Sequence, residues 1–326
     1  MRLAVKKKKH KKRQKPIRTE AASYDYHLPV LGEKSVELLI NRQDGIYIDG
    51  TLGGGGHAAL ILRKLDSGGN LWAFDKDENS IRHCRIKFEE ELNKKPPRLV
   101  LFNCGFEEAF EQPALAGNFS GLLLDLGVSS MQLDTDSRGL SYRVNSSLDM
   151  RFGGSGISAE DLLNSLSEEQ IYQILRNYGE EPRSRAIART IVTRRKLSRI
   201  RTTFELREIV ESCVPKPQQI RTLSRVFQAF RIAVNRELEV LEYSLRKAIE
   251  MLAPGGRIVV ISYHSLEDRI VKHIFKEHAI KKGTVDTSNT VPKLKLLTTK
   301  PIVPDDEEIG INPRSRSAKL RAAEKI

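Results

Sequence analysis

A glycine-rich stretch around residue 50 limits the possible folds of this 326-residue chain more than any other feature. An apolar segment at residues 46–48 leads into Asp49, and a loop with five glycines follows between residues 50 and 56. A helix-compatible run, residues 58–62, comes next. Strand, glycine-rich turn and helix in this order are typical of the first unit of a nucleotide-binding α/β domain. On the pattern alone, an ordinary glycine-rich surface loop remains an alternative.

Apolar segments that alternate with helical spacing predict further strands of the same sheet. They cover residues 71–74, 99–102, 122–124 and 258–261, and each is continuously apolar. Residues 34–41 and 80–92 have the spacing of helices. Strands that are apolar on both faces and separated by helices indicate a parallel sheet covered on two sides. The predicted fold class is therefore α/β.

The middle of the chain lacks strand patterns and predicts an all-helical insertion. Helices are expected there over residues 159–164, 168–178, 183–196, 204–213 and 223–234. The α/β pattern returns with a long helix at 236–252, and a last strand is expected at 293–298. We therefore predict one discontinuous domain from residues 23–128 and 236–326, interrupted by a helical insertion at 129–235.

The net charge of +13 is concentrated at the N-terminus. Residues 1–20 hold ten Lys and Arg residues and one Glu, a net charge of +9, so residues 1–22 are predicted to be a disordered basic arm. Residues 312–321 are also basic and polar, and we expect them to form a docked or RNA-facing tail. Contact with a polyanion is the expected use of the arm, with RNA or DNA as the leading candidate. A solvated arm without a role is the alternative.

Composition indicates a protein of a reducing cytoplasm. Cys84, Cys104 and Cys213 are odd in number and far apart, which fits neither a disulfide framework nor a zinc site. No apolar run is long enough to span a bilayer, and no apolar segment follows the basic N-terminus as in a secretory signal. We therefore expect a cytoplasmic protein without a membrane partner. His57, His264 and the acids show no ligand spacing, so no metal site is predicted.

Acidic residues at the predicted strand ends select between two adenine-bearing cofactors. In parallel α/β sheets, ligands bind beyond the carboxyl ends of the strands. At those ends this chain has Asp49, Asp75, Phe106 and Asp125. Asp75 is placed to accept hydrogen bonds from ribose hydroxyls, which NAD and S-adenosylmethionine (SAM) share. Asp49 would repel the pyrophosphate of NAD but attract the cationic groups of SAM, so SAM is favoured. Phe106 is expected to lie against adenine, although a lone phenylalanine is as often part of a core.

Several longer segments, taken together, resemble a known enzyme family. The most specific are Asp125-Leu126-Gly127-Val128-Ser129-Ser130 with Gln132 and Asp134, and Ile261-Ser262-Tyr263-His264-Ser265-Leu266-Glu267-Asp268-Arg269. Others are residues 47–57, 138–142, 148–151, 178–181, 227–235 and 312–321. In this order they resemble the bacterial small-subunit ribosomal RNA (cytosine-N4)-methyltransferase family, RsmH, also called MraW. The resemblance covers nearly the whole chain after the basic arm.

The resemblance implies a Rossmann-like class I SAM-dependent methyltransferase with an inserted all-helical domain. It implies methylation of the exocyclic N4 of a cytidine in the decoding region of small-subunit ribosomal RNA. The implied partner is that RNA, the 30S subunit or its assembly intermediate, and a homodimer is a further hypothesis. By position, the family's SAM contacts fall on Gly55, Gly56, His57, Asp75, Phe106, Asp125 and Gln132. We add Asp49 to this set because of its charge.

The acceptor side of the reaction suggests a catalytic candidate and three substrate contacts. An exocyclic amine with a delocalised lone pair needs alignment and an acceptor for its N–H. Many amino-methyltransferases carry a motif for this after the fourth strand. This chain lacks that motif and has Asp125 at the same place, so Asp125 is the catalytic candidate. A role of Asp125 in SAM binding alone is the alternative. The substrate-binding candidates are His264, Arg151 and Arg185. His264 could instead have a structural role at the turn from strand to helix. The arginines of the insertion could instead form a solvated helix face without contacting substrate.

Other function classes are weaker hypotheses. A SAM-dependent enzyme that acts on another RNA, a small molecule or a protein fits the glycine loop, but the basic arm disfavours the two targets that are not RNA. A non-catalytic RNA-binding assembly protein would not need the acids at the strand ends. An NAD oxidoreductase comes last because Asp49 adjoins the loop.

Overall fold

A seven-stranded sheet forms the centre of the α/β part of the molecule. The computed structural model describes residues 29–115, 119–127, 138–279 and 293–326, so the arm predicted at 1–22 lies outside the described residues. The strands are β1 (Ile46–Asp49), β2 (Asn70–Phe74), β3 (Leu99–Phe102), β4 (Phe119–Asp125), β5 (Leu252–Ser262), β6 (Leu294–Leu296) and β7 (Lys319–Lys325). Their order in the sheet is β3-β2-β1-β4-β5-β7-β6. Strands β1 to β5 are parallel, and β7 runs antiparallel to both of its neighbours.

Helices cover both faces of this sheet. In the described residues the α-helices are α1 (Gly32–Leu39), α2 (Gly56–Lys64), α3 (Glu78–Lys87), α4 (Glu89–Asn93), α5 (Ala159–Ser165), α6 (Glu168–Asn177), α7 (Ser184–Arg195), α8 (Thr203–Cys213), α9 (Lys216–Asn235), α10 (Glu237–Met251), α11 (Ser265–His278) and α12 (Asp306–Ile311). Successive residues of a strand point to opposite faces. Accordingly, Tyr47 is buried in a cluster with residues of α1 and α2, and Ile48 in a cluster with residues of α10 and α11. The predicted Rossmann-like α/β class is confirmed.

The C-terminal segment completes the sheet. Strand β7 lies between β5 and β6, and its middle residues, including Leu320 and Ala322, are buried. Arg321 is 7% exposed and donates from Nε to Asp268 Oδ1 at 2.6 Å. Of the two outcomes predicted for residues 312–321, the docked one holds for the last three residues, which lie in a strand. The sequence pattern did not indicate a strand here, because Arg321 has the charge of a surface residue and its buried partner, Asp268, is distant in the sequence.

The described residues 138–235 form a helical region with a hydrophobic cluster of its own. Apolar side chains of α5 to α9, such as Leu175, Ile187 and Phe230, pack together there, and no buried member of the cluster comes from the described strands of the sheet. The domain boundaries at 128/129 and 235/236 remain predictions. Among the described helices, none combines the length and the apolar composition that crossing a membrane requires.

Local signals explain why the helices of this region begin where they do. Ser158, Ser167 and Thr202 are the N-cap residues of α5, α6 and α8, and each side chain accepts a hydrogen bond from the backbone N–H three residues later. In each case the side chain of that later residue bonds back to the N-cap, which forms a capping box. Helix α9 has a proline in its first turn, where the missing N–H is not needed.

Ion pairs join the helical region to the sheet. Arg231 of α9 donates from Nε and NH2 to the two carboxylate oxygens of Glu237 in α10, at 2.8 and 2.9 Å. Glu180, between α6 and α7, accepts from Ser265 Oγ at 2.8 Å and from Arg269 NH2 at 3.1 Å, both in α11. The carboxyl edge of β5, where α11 begins, is therefore tied to the helical region.

Replacing Leu175 by alanine is expected to destabilise the helical region by about 2–5 kcal/mol, because truncating this fully buried side chain leaves a cavity. The matched control is Leu197→Ala, since Leu197 is 83% exposed. Its truncation is expected to change stability by less than about 0.5 kcal/mol. Denaturant unfolding followed by far-UV circular dichroism measures both. Equal unfolding midpoints for the two variants would show that α6 does not pack as described.

Candidate active site at the carboxyl edge of the sheet

Three aspartates lie at the carboxyl ends of neighbouring parallel strands. Asp49 ends β1, Asp125 ends β4, and Asp75 directly follows β2. Because β1 lies between β2 and β4, the three carboxyl groups share one edge of the sheet. Burial raises the pKa of Asp49 and of Asp75 to about 6, and that of Asp125 to about 7. The charged form of each group is therefore destabilised until a cation compensates it.

Asp49 has a carboxylate oxygen without a partner. Its Oδ1 accepts a hydrogen bond from the Thr51 N–H at 3.1 Å. Its Oδ2 is buried and has no hydrogen-bond partner among the described residues. Leaving a buried acceptor unsatisfied costs free energy, more so when the group is charged. A positively charged donor on a ligand would satisfy this oxygen.

Asp75 connects the glycine loop to the loop that follows β2. Its Oδ2 accepts from the Gly53 N–H at 2.8 Å, and its Oδ1 accepts from the Asp77 N–H at 2.8 Å. An ionised carboxylate has about four acceptor positions, so these two bonds leave positions for ligand hydroxyls. The carboxylate is held in one orientation by two backbone groups, which suits the predicted ribose contact. That contact remains a prediction.

The glycine loop is fixed against α3 and needs glycine at residue 55. Gly55 is the N-cap of α2 and has a φ of 72°, in the left-handed region that other residues avoid. A Cβ at this position would lie 2.6 Å from the ring of Phe88. Lys87 donates from Nζ to the carbonyl oxygens of Gly54 and Gly55, at 2.8 and 3.2 Å. The loop therefore has one conformation in which its backbone lies beside the three acids.

Phe106 lies against the beginning of the glycine loop. It is the first residue of a 3-10 helix, Phe106–Glu111, that follows β3. A Cβ at Gly50 would lie 2.8 Å from Phe106 Cβ and would also meet Leu124 Cδ2, so Phe106 packs directly on the loop. Phe106 is only partly buried, so part of its surface is available to a ligand. Its predicted contact with adenine remains a prediction.

His57 and Tyr263 approach Asp125 from two different elements. His57, buried in the first turn of α2, has its Nδ1 at 3.6 Å from Asp125 Oδ2 and its Nε2 at 3.1 Å from the Val30 carbonyl oxygen. Burial lowers the pKa of His57. Tyr263, the residue after β5, donates its hydroxyl to Asp125 Oδ1 at 2.8 Å. Asp125 therefore has one oxygen in a hydrogen bond and the other facing a neutral imidazole.

His264 caps helix α11. Its Nδ1 accepts from the Glu267 N–H at 3.5 Å, and its Nε2 lies 3.0 Å from Glu267 Oε1. Glu267 is buried, and it accepts from the His264 N–H at 3.3 Å. These contacts form the capping box of α11, which is the structural role that sequence reasoning left open. A contact between His264 and substrate remains a prediction.

Glu237, His264 and Glu267 form a charged cluster at the junction between the helical region and the sheet. One possible ligand atom from each lies within 4.8 Å of the others, so a metal ion must be considered. Arg231, however, binds both oxygens of Glu237. Its guanidinium already supplies a positive charge and would repel a metal ion at this distance. We regard the cluster as an ion-pair network.

The predicted substrate contacts Arg151 and Arg185 have different surroundings. Arg151 donates from Nε to Asp149 Oδ1 at 2.6 Å and from NH2 to Asp149 Oδ2 at 2.9 Å. Arg185 lies over the Tyr172 ring, with Cζ at 4.2 Å from the centroid, and its NH1 is 3.9 Å from Glu169 Oε2. Arg151 is thus engaged bidentately, whereas Arg185 keeps an exposed guanidinium. Their roles in substrate binding remain predictions.

Most of the predicted cofactor residues come together at one edge. The residues in question are Asp49, Gly55, Gly56, His57, Asp75, Phe106 and Asp125. Gln132, the remaining one, lies outside the described residues. Sequence reasoning missed Tyr263 and Thr51, whose Oγ1 accepts from the Asp125 N–H at 2.7 Å. Both lie close to predicted strand ends, but nothing in the sequence shows that either contacts Asp125, because the pairing of β5 with β4 is needed for that.

Comparisons with known proteins relate the chain from residue 25 onwards to one family. The model of the MraW methylase family matches residues 25–326. A protein named ribosomal RNA small subunit methyltransferase H, from Caldicellulosiruptor saccharolyticus, is 46% identical over 309 residues, which cover 92% of this chain and 99% of that protein. The protein of the same name from Heliobacterium modesticaldum is 44% identical over 315 residues, covering 92% and 99%. Among solved structures, an rRNA methylase from Streptococcus thermophilus matches with a TM-score of 0.40 and 12% identity, over 94% of this chain and 99% of that chain.

Replacing Asp49 by asparagine is expected to stabilise the ligand-free protein at about pH 8 by about 1–3 kcal/mol. Burial raises the pKa of Asp49 to about 6, so between about pH 4 and pH 6 the folded protein holds a proton that the unfolded chain has lost. The stability contributed by this group therefore falls as the pH rises through that window, and an uncharged side chain removes the fall.

Urea unfolding midpoints at about pH 5 and pH 8 measure this effect. The matched control is Glu90→Gln, because the Glu90 side chain is 88% exposed and its neutralisation should leave stability unchanged. An Asp49→Asn variant with the wild-type pH dependence would mean that Asp49 is not destabilised by burial.

Proposed function

The chain belongs to the MraW methylase family, and from this membership and the strand-end acids we propose that it transfers a methyl group from SAM to the exocyclic N4 of a cytidine in small-subunit ribosomal RNA. Two relatives named ribosomal RNA small subunit methyltransferase H support the choice of RNA, since each aligns over 99% of its length. The observation that carries the choice of cofactor is the unpartnered buried oxygen of Asp49.

The site suits a ligand that combines adenosine with positive charge. SAM supplies an activated methyl group on a sulfonium and also carries an ammonium group. We assign the ammonium to Asp49, whose Oδ2 lacks a partner, and the ribose hydroxyls to Asp75, whose orientation is fixed by two backbone N–H groups. Phe106 is assigned to adenine. Gln132 is a further cofactor contact in this proposal, on the basis of the family resemblance.

We assign Asp125 to the methyl-transfer centre. The exocyclic amine of cytosine is a weak nucleophile because its lone pair is delocalised, so alignment and electrostatic support dominate the rate. As N4 gains the methyl group, the sulfonium S–CH3 bond breaks and S-adenosylhomocysteine is left as the product. N4 loses one proton in this step: the Asp125 carboxylate accepts the hydrogen bond from that N–H, takes the proton and then releases it to solvent. Thr51 accepts a hydrogen bond from the Asp125 backbone N–H, and Tyr263 donates one to the Asp125 carboxylate, so both fix Asp125. The base has to leave any stack to reach this edge.

Exposed arginines of the helical region are the proposed contacts for RNA phosphates. The side chains of Arg185 and Arg189 are 64% and 74% exposed, and their nearest carboxylate oxygens are 3.9 and 3.8 Å away. Exposed ion pairs of this kind contribute little, so a phosphate can replace the carboxylate. Arg199 is held more tightly, with Nε at 2.6 Å from Glu160. A cytoplasmic enzyme that acts on the 30S subunit or an assembly intermediate fits this proposal, and a homodimer remains a prediction.

Replacing Arg185 and Arg189 together by alanine is expected to weaken binding of small-subunit ribosomal RNA and to reduce the slope of log K against log salt by about 1–2. Filter binding over a range of salt concentrations measures both quantities. The matched control is Arg246→Ala, because Arg246 is engaged by Glu242 and Glu277. An unchanged salt slope in the double variant would exclude these arginines from the RNA interface.

The proposed reaction is tested by nucleoside mass spectrometry of small-subunit ribosomal RNA from cells with and without the gene. N4-methylcytidine should disappear without the gene and return with the wild-type protein. In an assay of the purified protein, Asp125→Ala should reduce turnover at saturating SAM by about 100-fold or more. The control is Asp306→Ala, at the exposed start of α12, which should restore the modification fully in cells without the gene.

Each alternative predicts a different outcome of the same experiment. Persistence of N4-methylcytidine without the gene would refute the assignment of the target. Loss of another methylated nucleotide would identify a different RNA site. An unchanged set of modified nucleosides, combined with SAM binding by the purified protein, would favour a small molecule or a protein as substrate.

A further inference from the structure

We propose that Tyr263 is a positioning residue for Asp125: its hydroxyl favours the charged form of the Asp125 carboxylate and holds it in one orientation, and Glu267 in turn fixes the backbone of Tyr263. The assignment of Asp125 to the methyl-transfer centre rests on the proposed function. The hydrogen bond itself does not, since it is a property of the folded chain.

The first support is the geometry at the ends of β4 and β5. These strands are parallel neighbours, with Asp125 paired to Ile261, so the residue that follows β5 lies beside the last residue of β4. The Tyr263 hydroxyl donates to Asp125 Oδ1 at 2.8 Å. Asp125 Oδ2 remains on the side of His57, at 3.6 Å from its Nδ1. The tyrosine therefore occupies one oxygen of the carboxylate and leaves the other for a different partner.

The second support is the way in which Tyr263 is held. Its backbone N–H donates to Glu267 Oε2 at 2.9 Å, and the same oxygen accepts from the His264 N–H. Burial would raise the pKa of Glu267, but His264 and Arg231 outweigh it and lower this pKa. A charged, buried carboxylate thus fixes the backbone of Tyr263 from α11. Tyr263 is therefore aimed at Asp125 before any ligand binds.

The third support comes from the groups that face Asp125. Burial raises the pKa of Asp125, the Tyr263 hydroxyl lowers it, and the negative charge of Glu267 raises it. His57 of α2 and Asp49 of β1 face the same space, and the pKa of His57 is lowered by burial. Among these described neighbours, only the tyrosine hydroxyl donates a hydrogen bond to the Asp125 carboxylate. Without it, Asp125 would hold a proton over a wider pH range.

A protonated Asp125 would be unsuited to its proposed task. A neutral carboxyl group attracts a cationic cofactor less strongly than a carboxylate does, and it is a weaker acceptor for the N–H of the target amine. The tyrosine hydroxyl donates without becoming charged, because burial and the adjacent Asp125 raise its own pKa far above neutrality. Tyr263 therefore stabilises the ionised carboxylate over the neutral one.

The test is the pH dependence of S-adenosylhomocysteine binding, measured by calorimetry between about pH 5 and pH 9. Affinity should fall at acidic pH as the carboxylates gain protons. In Tyr263→Phe the midpoint of this fall should move up by about one pH unit, the size expected for a lost hydrogen bond to a charged group. Site-specific incorporation of 3,5-difluorotyrosine at 263, a stronger donor, should move the midpoint down and guards against misfolding of the phenylalanine variant.

Two controls isolate the pair. Tyr243→Phe, on the exposed face of α10 with 44% exposure, should leave the midpoint unchanged. In an Asp125→Asn background, Tyr263→Phe should cause no further shift of the midpoint, because an amide side chain at position 125 no longer titrates. An equal loss of affinity at every pH in Tyr263→Phe, with no change in midpoint, would show that Tyr263 is merely structural and overturn the inference.

Binding of this product does not require methyl transfer, so the two proposals fail separately. If the shift occurs but ribosomal RNA from cells without the gene keeps its N4-methylcytidine, the proposed target is wrong and the Tyr263–Asp125 pair stands. If the modification depends on the gene but Tyr263→Phe keeps the wild-type midpoint and turnover, the inference about Tyr263 is wrong.

Discussion

Concentrating three aspartates at one edge of the sheet is the constraint on which the rest of the structure depends. Burial disfavours the charged form of each, and the pKa of all three lies well above the usual value for an aspartate. His57, whose Nδ1 lies 3.6 Å from Asp125 Oδ2, does not supply the missing positive charge, because burial lowers its pKa. Backbone N–H groups satisfy Asp75 and half of Asp49, but they carry no net charge. The fold therefore keeps a site whose charge is balanced only when a cation binds, and part of the protein's stability is given up for that purpose.

Those parts of the fold that depend on short-range residue patterns could be predicted from the sequence. Strand, glycine loop and helix around residues 46–64 follow from short-range preferences. The meeting of Asp49, Asp75 and Asp125 follows from a general rule, since parallel strands bring their carboxyl ends to one edge. Contacts that depend on the register between distant segments could not be predicted. The hydrogen bond between Tyr263 and Asp125 is one, because it requires that β5 pair with β4 and end at residue 262.

Buried charged residues also prevented parts of the structure from being predicted. Strand β7 was hidden because Arg321 reads as a surface residue until its partner Asp268 is known. The cluster around Glu267 was missed for the same reason: its members come from α9, α10 and α11, and only His264 and Glu267, three residues apart, are related by a spacing in the sequence. In both places a charge is buried with a partner from another element. Breaking such a pair leaves an uncompensated buried charge. The Arg321–Asp268 pair therefore holds β7 against α11, and the Arg231–Glu237 pair holds the helical region against α10.

The two ligands of the proposed reaction are separated by charge. In the proposed function, the strand-end acids attract a cationic cofactor and repel RNA phosphates, and the exposed arginines of the helical region are the proposed contacts for those phosphates. A nucleic acid can therefore be gripped at a distance from the acids while a single base is presented to them. Cofactor binding neutralises part of the negative charge at the edge, so it also weakens the repulsion felt by the phosphates on either side of that base. The Arg231–Glu237 ion pair connects the two surfaces, because it joins α9, the last helix of the helical region, to α10, which packs on the sheet.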